Sequence, residues 1–566
     1  MKYPLFTLTL ILILTVFLLA LIILREPQND AGSDRLLFRV ARPGGFQDQN
    51  LAPPASTNTV PIYIWTLSPP TPIDPYSFGS NLPAWLGAAR FEHEVFRARA
   101  MAAGLTILRL PGGSWSNTYD WLACENGVIP DCEHPWAARP TDFLNFLRAT
   151  GIEGMWVVSP NGTAQEMAAL VAFFNAAITD TTSIGLDARG RDWLTAGHWA
   201  QLRRDHGNPD PWPVKLWEVG NEVYGGKPDK HPQCQPYGWE EVWTCDGTEY
   251  VNGLGSGPDR REGYLEFRAA MRAVDPTIQV GAVGAPFAGE WHNWGNEVIA
   301  AAGSIMDFYS LHQYAYFDPP ASYAEALAQP HTIWPAIRAD LDAALKTHAA
   351  GRDIPAAVTE YGLFSVGDQD DDQMMVRAVN ALFIADAIGQ IIQNRFAMAQ
   401  QWDLANGRFD NGSDYGLLDT ETFARNPPYY VFPLWTRFGL EMLSLSATAP
   451  PETTLSLYAG RIDPQTFSLL AINKTAQPIT ATVDLPFFTI TGGLVDLVQA
   501  TTLTATTVAF NGLSDPADDL SDAPSLPLNN VSDPFVYTFA PYAITLLRLD
   551  TAMTPFYPIY LPLILK

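Results

Sequence analysis

Between residues 60 and 402, short apolar runs alternate with amphipathic stretches eight times over, an order that few folds can satisfy. The strand candidates are Val60 to Leu67, Thr106 to Leu110, Met155 to Ser159, Val214 to Val219, Ile278 to Val283, Met306 to His312, Ala356 to Thr359 and Arg395 to Trp402. Between them, Arg139 to Ala149, Thr163 to Ala177, Arg260 to Ala273 and Asp371 to Gln393 space apolar residues three and four apart, as helices with one buried face do. Strand and helix in strict alternation build a parallel sheet, and eight such units predict an α/β chain whose residues 60–444 form a (β/α)8 TIM barrel.

Beyond Leu445 the pattern changes to short Thr-, Leu- and Val-rich runs such as TFSLLAINKT and YAITLLRL, separated by Pro, Asn and Gly turns. That spacing predicts an antiparallel β-sandwich over 445–550. Ahead of the barrel, Pro4 to Leu24 is an uncharged, almost wholly apolar run of 21 residues, long enough to cross a bilayer. No small-residue cleavage site follows it before Arg25, so residues 1–25 are expected to be an uncleaved transmembrane anchor rather than a cleaved signal, with 26–59 a polar linker. Residues 551–566 form an apolar tail that is interrupted by prolines and too short to span a bilayer.

The net charge of −26 repels nucleic-acid phosphate, and no local basic patch offsets it. Four cysteines fall as two close pairs, Cys124 with Cys132 and Cys234 with Cys245, in polar segments behind a membrane run. Two local disulfides in an exported, extracellular domain are therefore expected. No metal or other cofactor is expected, because the cysteine spacings are not C-x-x-C and no H-E-x-x-H occurs among the nine His. Two acidic segments, Asp368 to Asp372 and Asp410 to Asp419, lack the spacing of a calcium loop and are expected to be solvated.

The chemistry concentrates at strand ends, where a barrel keeps its reactive groups. The run KLWEVGNEVY delivers Asn221 and Glu222 at its C-terminal end, and IPAAVTEYG delivers Glu360. One such glutamate would read as a strand cap; two on separate strands suit glycoside hydrolysis, which needs a pair of carboxyl groups. Arg109, in TILRLPGGSW, could hold a carboxylate ionised or form a structural ion pair, and the Pro-Gly-Gly turn after it would let backbone approach a ligand closely. His312 and Tyr314 lie two apart on one strand and so point to the same side. Gln401 offers a neutral hydrogen-bonding group, and Trp402 a platform on which a sugar ring stacks.

Taken together, LRLPGG, LWEVGNE, SLHQY and TEYG, followed by a sandwich ending APYAITLLRL, resemble the retaining barrel glycosidases of clan A, and within them the α-L-arabinofuranosidase family most. The resemblance runs over residues 60 to 550, and WEVGNE is its most specific part. It implies a carbohydrate substrate, Glu222 as acid/base and Glu360 as nucleophile. Asn221 would bond the sugar hydroxyl beside the reacting carbon, while Arg109 and Tyr314 would keep Glu360 charged and leave the proton with Glu222. TEYG departs from the Glu-Trp context of that family, which leaves open an endo-acting β-glucanase or xylanase of the same clan; a non-catalytic sugar-binding surface protein has no need of the pair.

Overall fold

A computed structural model describes residues 59–127, 132, 134–229, 231, 234–528 and 531–554. The expected anchor, nearly all of the linker and the tail from 555 onward lie outside the described residues, among which no helix is long and apolar enough to cross a membrane.

Eight parallel strands close into a barrel: Gly79–Asn81, Ile107–Leu110, Glu153–Val158, Leu216–Val219, Gln279–Val283, Phe308–Tyr316, Ala356–Phe364 and Met398–Gln401, the last pairing back on the first. Ile107, Met155, Leu216, Phe308, Ala357 and Met398 plug its interior with apolar side chains, so this is a packed core with its chemistry at one end. Helices clothe the outside. Ala164–Asn175, for example, starts on a reciprocal cap in which Thr163 and Glu166 side chains bond each other's backbone N–H, both at 3.2 Å.

Val60 to Leu67, expected as the first barrel strand, belongs elsewhere. Val60–Ile64 pairs with Leu445–Ala447 and, in parallel, with Ile479–Asp484, inside a four-stranded sheet of the sandwich. The second sheet has eight strands centred on Thr466–Asn473 and Ala543–Met553, and Ile62, Ile64, Leu469, Ala481, Val483 and Leu547 fill the space between the sheets. The expected sandwich therefore recruits the chain's first described strand, and one of its pairings is parallel.

The helix Ala378–Gln393 is buried along all of its length but the last residue, as a helix packed on two sides must be. Its Gly389 meets the ring of Tyr458, a sandwich residue, so closely that a Cβ would lie 2.2 Å away. Beside it Asp386 accepts from the Lys474 ammonium at 2.7 Å, with both side chains fully buried. The Lys474 charge holds Asp386 below the usual carboxylate range against the opposing effect of burial.

The acidic segments are not wholly solvated. Asp370 is buried and accepts from the backbone of Met374 and Met375 and from the Ser413 hydroxyl at 2.6 Å, which ties one segment to the other. Asp414 and Asp419 are buried as well.

Candidate active site

The fourth barrel strand ends at Val219, and the chain then turns sharply. Gly220 adopts φ +90°, and a Cβ there would lie 2.6 Å from Val223. Glu222 itself sits in the left-handed region at φ +41°. Such a conformation costs a residue with a side chain about 1 to 3 kcal/mol and is retained where it aims a functional group. Here it aims the carboxylate across the barrel mouth.

Glu360 reaches the same mouth from the seventh strand. One oxygen of each carboxylate and a ring nitrogen of His312 lie within 4.8 Å of one another. His312 Nδ1 is 3.0 Å from Glu222 and 3.5 Å from Glu360. Tyr314, two residues on, donates its hydroxyl to Glu360 at 3.1 Å, so both side chains of the sixth strand face the pair. All three groups could together grip a cation, but His312 already uses Nδ1 on Glu222, and positive charge comes from Arg109. A second set, His231 with Cys234 and Cys245, is no metal site, because its thiols are joined in a disulfide.

Arg109 is fully buried under the pair. Its Nε donates to Glu218 at 2.7 Å, one terminal nitrogen to Asn81 at 3.0 Å and Glu360 at 2.8 Å, and the other to Asn221 at 2.8 Å. The fork thus joins four polar groups delivered by three other strands, as a planar guanidinium can.

Protons are placed differently from expectation. Burial works to raise Glu222, but the N–H groups of His312 and of Trp239, the latter at 2.8 Å, hold it below the ordinary carboxylate value. Burial raises Glu360, against the pull of His312 and Arg109. Burial also disfavours a charged His312, yet the carboxylates, Glu360 foremost, hold the imidazole above its ordinary value. His312 thus lies between the two carboxylates, with its Nδ1 hydrogen-bonded to Glu222 at 3.0 Å and 3.5 Å from Glu360.

Gln401 ends the eighth strand, where its amide donates to the Tyr415 carbonyl at 3.1 Å and accepts from Ser80 at 3.2 Å. Trp402 packs its ring over Gly113, whose absent Cβ would stand 2.6 Å from it, and against Trp85 with centroids 5.9 Å apart. The Pro-Gly-Gly turn therefore makes room at Gly113 for an indole of the chain itself.

Several functional groups escape a reading by strand ends. Asn117 brackets Asn221, accepting from its backbone N–H at 2.9 Å and donating to its carbonyl at 2.7 Å. Glu240 is fully buried and accepts from Ser114 at 2.7 Å, Asn117 at 2.6 Å and Asn221 at 2.9 Å. Burial, with the Glu222 charge nearby, pushes Glu240 up to about 8. Trp239 and Glu240 lie in the segment closed by the Cys234–Cys245 disulfide; Cys124 and Cys132 are likewise bonded. The one sequence signal for this segment was its cysteine pair.

No family model matches the chain. Over 232 residues it is 23% identical to a probable α-L-arabinofuranosidase C of Aspergillus clavatus, covering 37% of each protein. Over 230 residues it is 30% identical to α-L-arabinofuranosidase C of Emericella nidulans, again 37% of each. An intracellular exo-α-(1→5)-L-arabinofuranosidase of Streptomyces lividans is 24% identical over 233 residues, which are 38% of this chain and 28% of that protein. The chain thus spans about a third of the length of the curated relatives it matches. Among solved structures, the α-L-arabinofuranosidase of Thermotoga maritima superposes with a TM-score of 0.63 at 17% identity, covering 87% of this chain and all of that one. A family 44 xyloglucanase of Paenibacillus polymyxa gives 0.56 at 15% identity over 87% of this chain and 100% of its own. The chain is therefore similar in sequence to α-L-arabinofuranosidases, and it shares their barrel-and-sandwich fold.

Proposed function

We propose that this chain is a retaining glycoside hydrolase that releases α-L-arabinofuranosyl units from a polysaccharide or oligosaccharide. The observation that carries this reading is the closeness of Glu222 and Glu360, with one oxygen of each within 4.8 Å. A retaining mechanism wants carboxyl groups about 5 to 5.5 Å apart, and an inverting one leaves room for a water. Glu360 attacks the anomeric carbon as the glycosidic C–O bond breaks, and the leaving oxygen takes the proton held between His312 and Glu222. Glu222 then removes a proton from water, the water oxygen bonds to the anomeric carbon, and Glu360 departs. Arg109 and the Tyr314 hydroxyl steady Glu360 throughout, and Asn221, held between Arg109 and Glu240, offers its amide to the sugar hydroxyl beside the reacting carbon.

Turnover of a panel of nitrophenyl glycosides and polymers, with NMR of the first-formed anomer, tests the reading. Retained arabinose from the arabinofuranoside supports it. An inverted product, or activity on β-glucan or xylan alone, overturns it. The apolar run Pro4 to Leu24 and the two disulfides support a further element, that the hydrolase is displayed outside the cell on an uncleaved anchor. Protease shaving of intact cells should then release the activity; a protected barrel refutes the display.

A further inference from the structure

Beside Glu222 lies a cluster of rings that the hydrolytic steps do not use. Trp291 packs against Tyr224 with centroids 5.2 Å apart, against Trp239 at 5.3 Å and against Tyr237 at 5.8 Å. Tyr224 is buried and Trp291 half-buried, but the other two rings are open to solvent: Tyr237 is 64% exposed and Trp239 37%. Their supports are unusual. Tyr237 and Trp239 come from the segment closed by the Cys234–Cys245 disulfide. Trp291, His292 and Asn293 are three successive non-glycine residues in the left-handed region, at φ +52°, +57° and +73°. Backbone strain of that kind persists where the surroundings enforce it, and it collects at ligand clamps. Gln235 and His292 join the two segments at 3.1 Å and leave polar atoms at the rim.

The cluster's position fixes its place in the reaction. Trp239 donates its indole N–H to Glu222 Oε2 at 2.8 Å, and Tyr224 donates its hydroxyl to Oε1 at 3.3 Å. The group that protonates the leaving oxygen must sit beside the leaving group, so the rings bound the leaving-group side of the cleft. From this we infer that Trp239, Trp291 and Tyr237 form a subsite for a pyranose unit of the leaving group, as an equatorially substituted xylan-type backbone presents. This rests on the hydrolase reading above and names the substrate class of the same site. Such a sugar has broad C–H faces that lie flat on aromatic rings, whereas a furanose is small and puckered and covers them poorly. The substrate then becomes an arabinofuranosyl branch on a pyranose chain rather than a chain of arabinofuranose.

The test separates binding from turnover. In a Glu360→Ala background of the full chain, xylohexaose and arabinohexaose are titrated by calorimetry, with and without Tyr237→Ala and, separately, Trp291→Leu. Tyr237 is exposed, so its truncation leaves the fold intact even where Trp291→Leu disturbs the strained turn. Xylohexaose should bind, and Tyr237→Ala should weaken it about tenfold, the loss of one ring contact. In the active chain the same change should lower kcat/KM on arabinofuranosyl-decorated xylan about tenfold more than on the nitrophenyl arabinofuranoside. Equal xylohexaose affinity with and without Tyr237, or tighter binding of arabinohexaose, overturns the subsite. If the unmodified chain releases no arabinose while xylohexaose binding still depends on Tyr237, the subsite stands and the arabinofuranosidase reading falls.

Discussion

Glu240 offers a quantitative check on the electrostatics of the cleft. It is fully buried, 2.9 Å from the Asn221 amide, and accepts only from uncharged donors, so ionisation there gains hydrogen bonds but no counter-charge. Raising a carboxyl from 4.5 to about 8 corresponds to about 5 kcal/mol held against its ionisation. Below pH 4.5 folded and unfolded chains both hold this proton, and the group does not affect stability. As pH rises from 4.5 to 8, the unfolded chain releases the proton while the folded one retains it, so stability falls, by up to that amount, and above 8 the loss is complete. Glu240→Gln removes the slope. It also introduces an amide N–H that must face one of the Asn donors, a pH-independent cost of about 1 to 3 kcal/mol. Urea unfolding followed by circular dichroism at several pH values, compared between the two proteins, isolates the slope from other groups. The variant should be the less stable at low pH and should lose less as pH rises toward 8. Parallel curves would show that Glu240 is already ionised in the folded chain and would refute the reasoning.

The two glutamates should part on mutation: Glu360→Ala abolishes turnover of every substrate, whereas Glu222→Ala spares substrates with good leaving groups, and azide should restore its rate with a retained glycosyl azide. A retained azide product from the Glu360 variant, with an inverted one from the Glu222 variant, would swap the roles. In the pH profile of kcat/KM, the acid limb should lie above 4.5 because burial raises Glu360, and His312→Asn should move that limb to higher pH by removing the cation that opposes it; an unmoved limb contradicts this. Lys474→Met should cost about 3 to 5 kcal/mol in urea unfolding by leaving buried Asp386 without the ammonium, with only His331 at 3.1 Å and the Tyr458 hydroxyl beside it, and part of the loss should return in the double variant with Asp386→Leu.

Seven of the eight barrel strands were legible, most of them because they are largely apolar runs buried on both faces, as Leu216–Val219 is throughout, although Met398–Gln401 ends on two glutamines. The first was not. Gly79–Asn81 is three small, polar residues with no apolar run to mark it, held by its place between the second and eighth strands. The strand taken for it, Val60–Ile64, carried a contrary sign: Ile62 and Ile64 are buried while Tyr63 between them is 41% exposed. That alternation belongs to a sheet with one solvated face, not to a barrel stave. The site followed the same division. Strand-end groups could be placed by period, whereas Asn117, Trp239 and Glu240 sit on connections, where no period says which way a side chain points.

Glu218 is the instructive exception, since it lies in the very run that drew attention to the site. In LWEV the flanking Trp217 and Val219 join the main apolar core outside the barrel, so the alternation of a strand turns Glu218 inward. A carboxylate buried in a barrel interior needs a cation, and Arg109, two strands away, is also fully buried. The two readings open to that arginine, a structural ion pair or a hold on a strand-end carboxylate, meet in one arrangement. Its Nε neutralises Glu218 at 2.7 Å while a terminal nitrogen reaches Glu360 at 2.8 Å. Because Glu218 also accepts from Thr359 at 3.1 Å, next to Glu360 in the chain, the same carboxylate fixes both the guanidinium and the strand that bears Glu360. A change at Glu218 would therefore loosen Glu360 from two sides at once, although Glu218 touches no substrate.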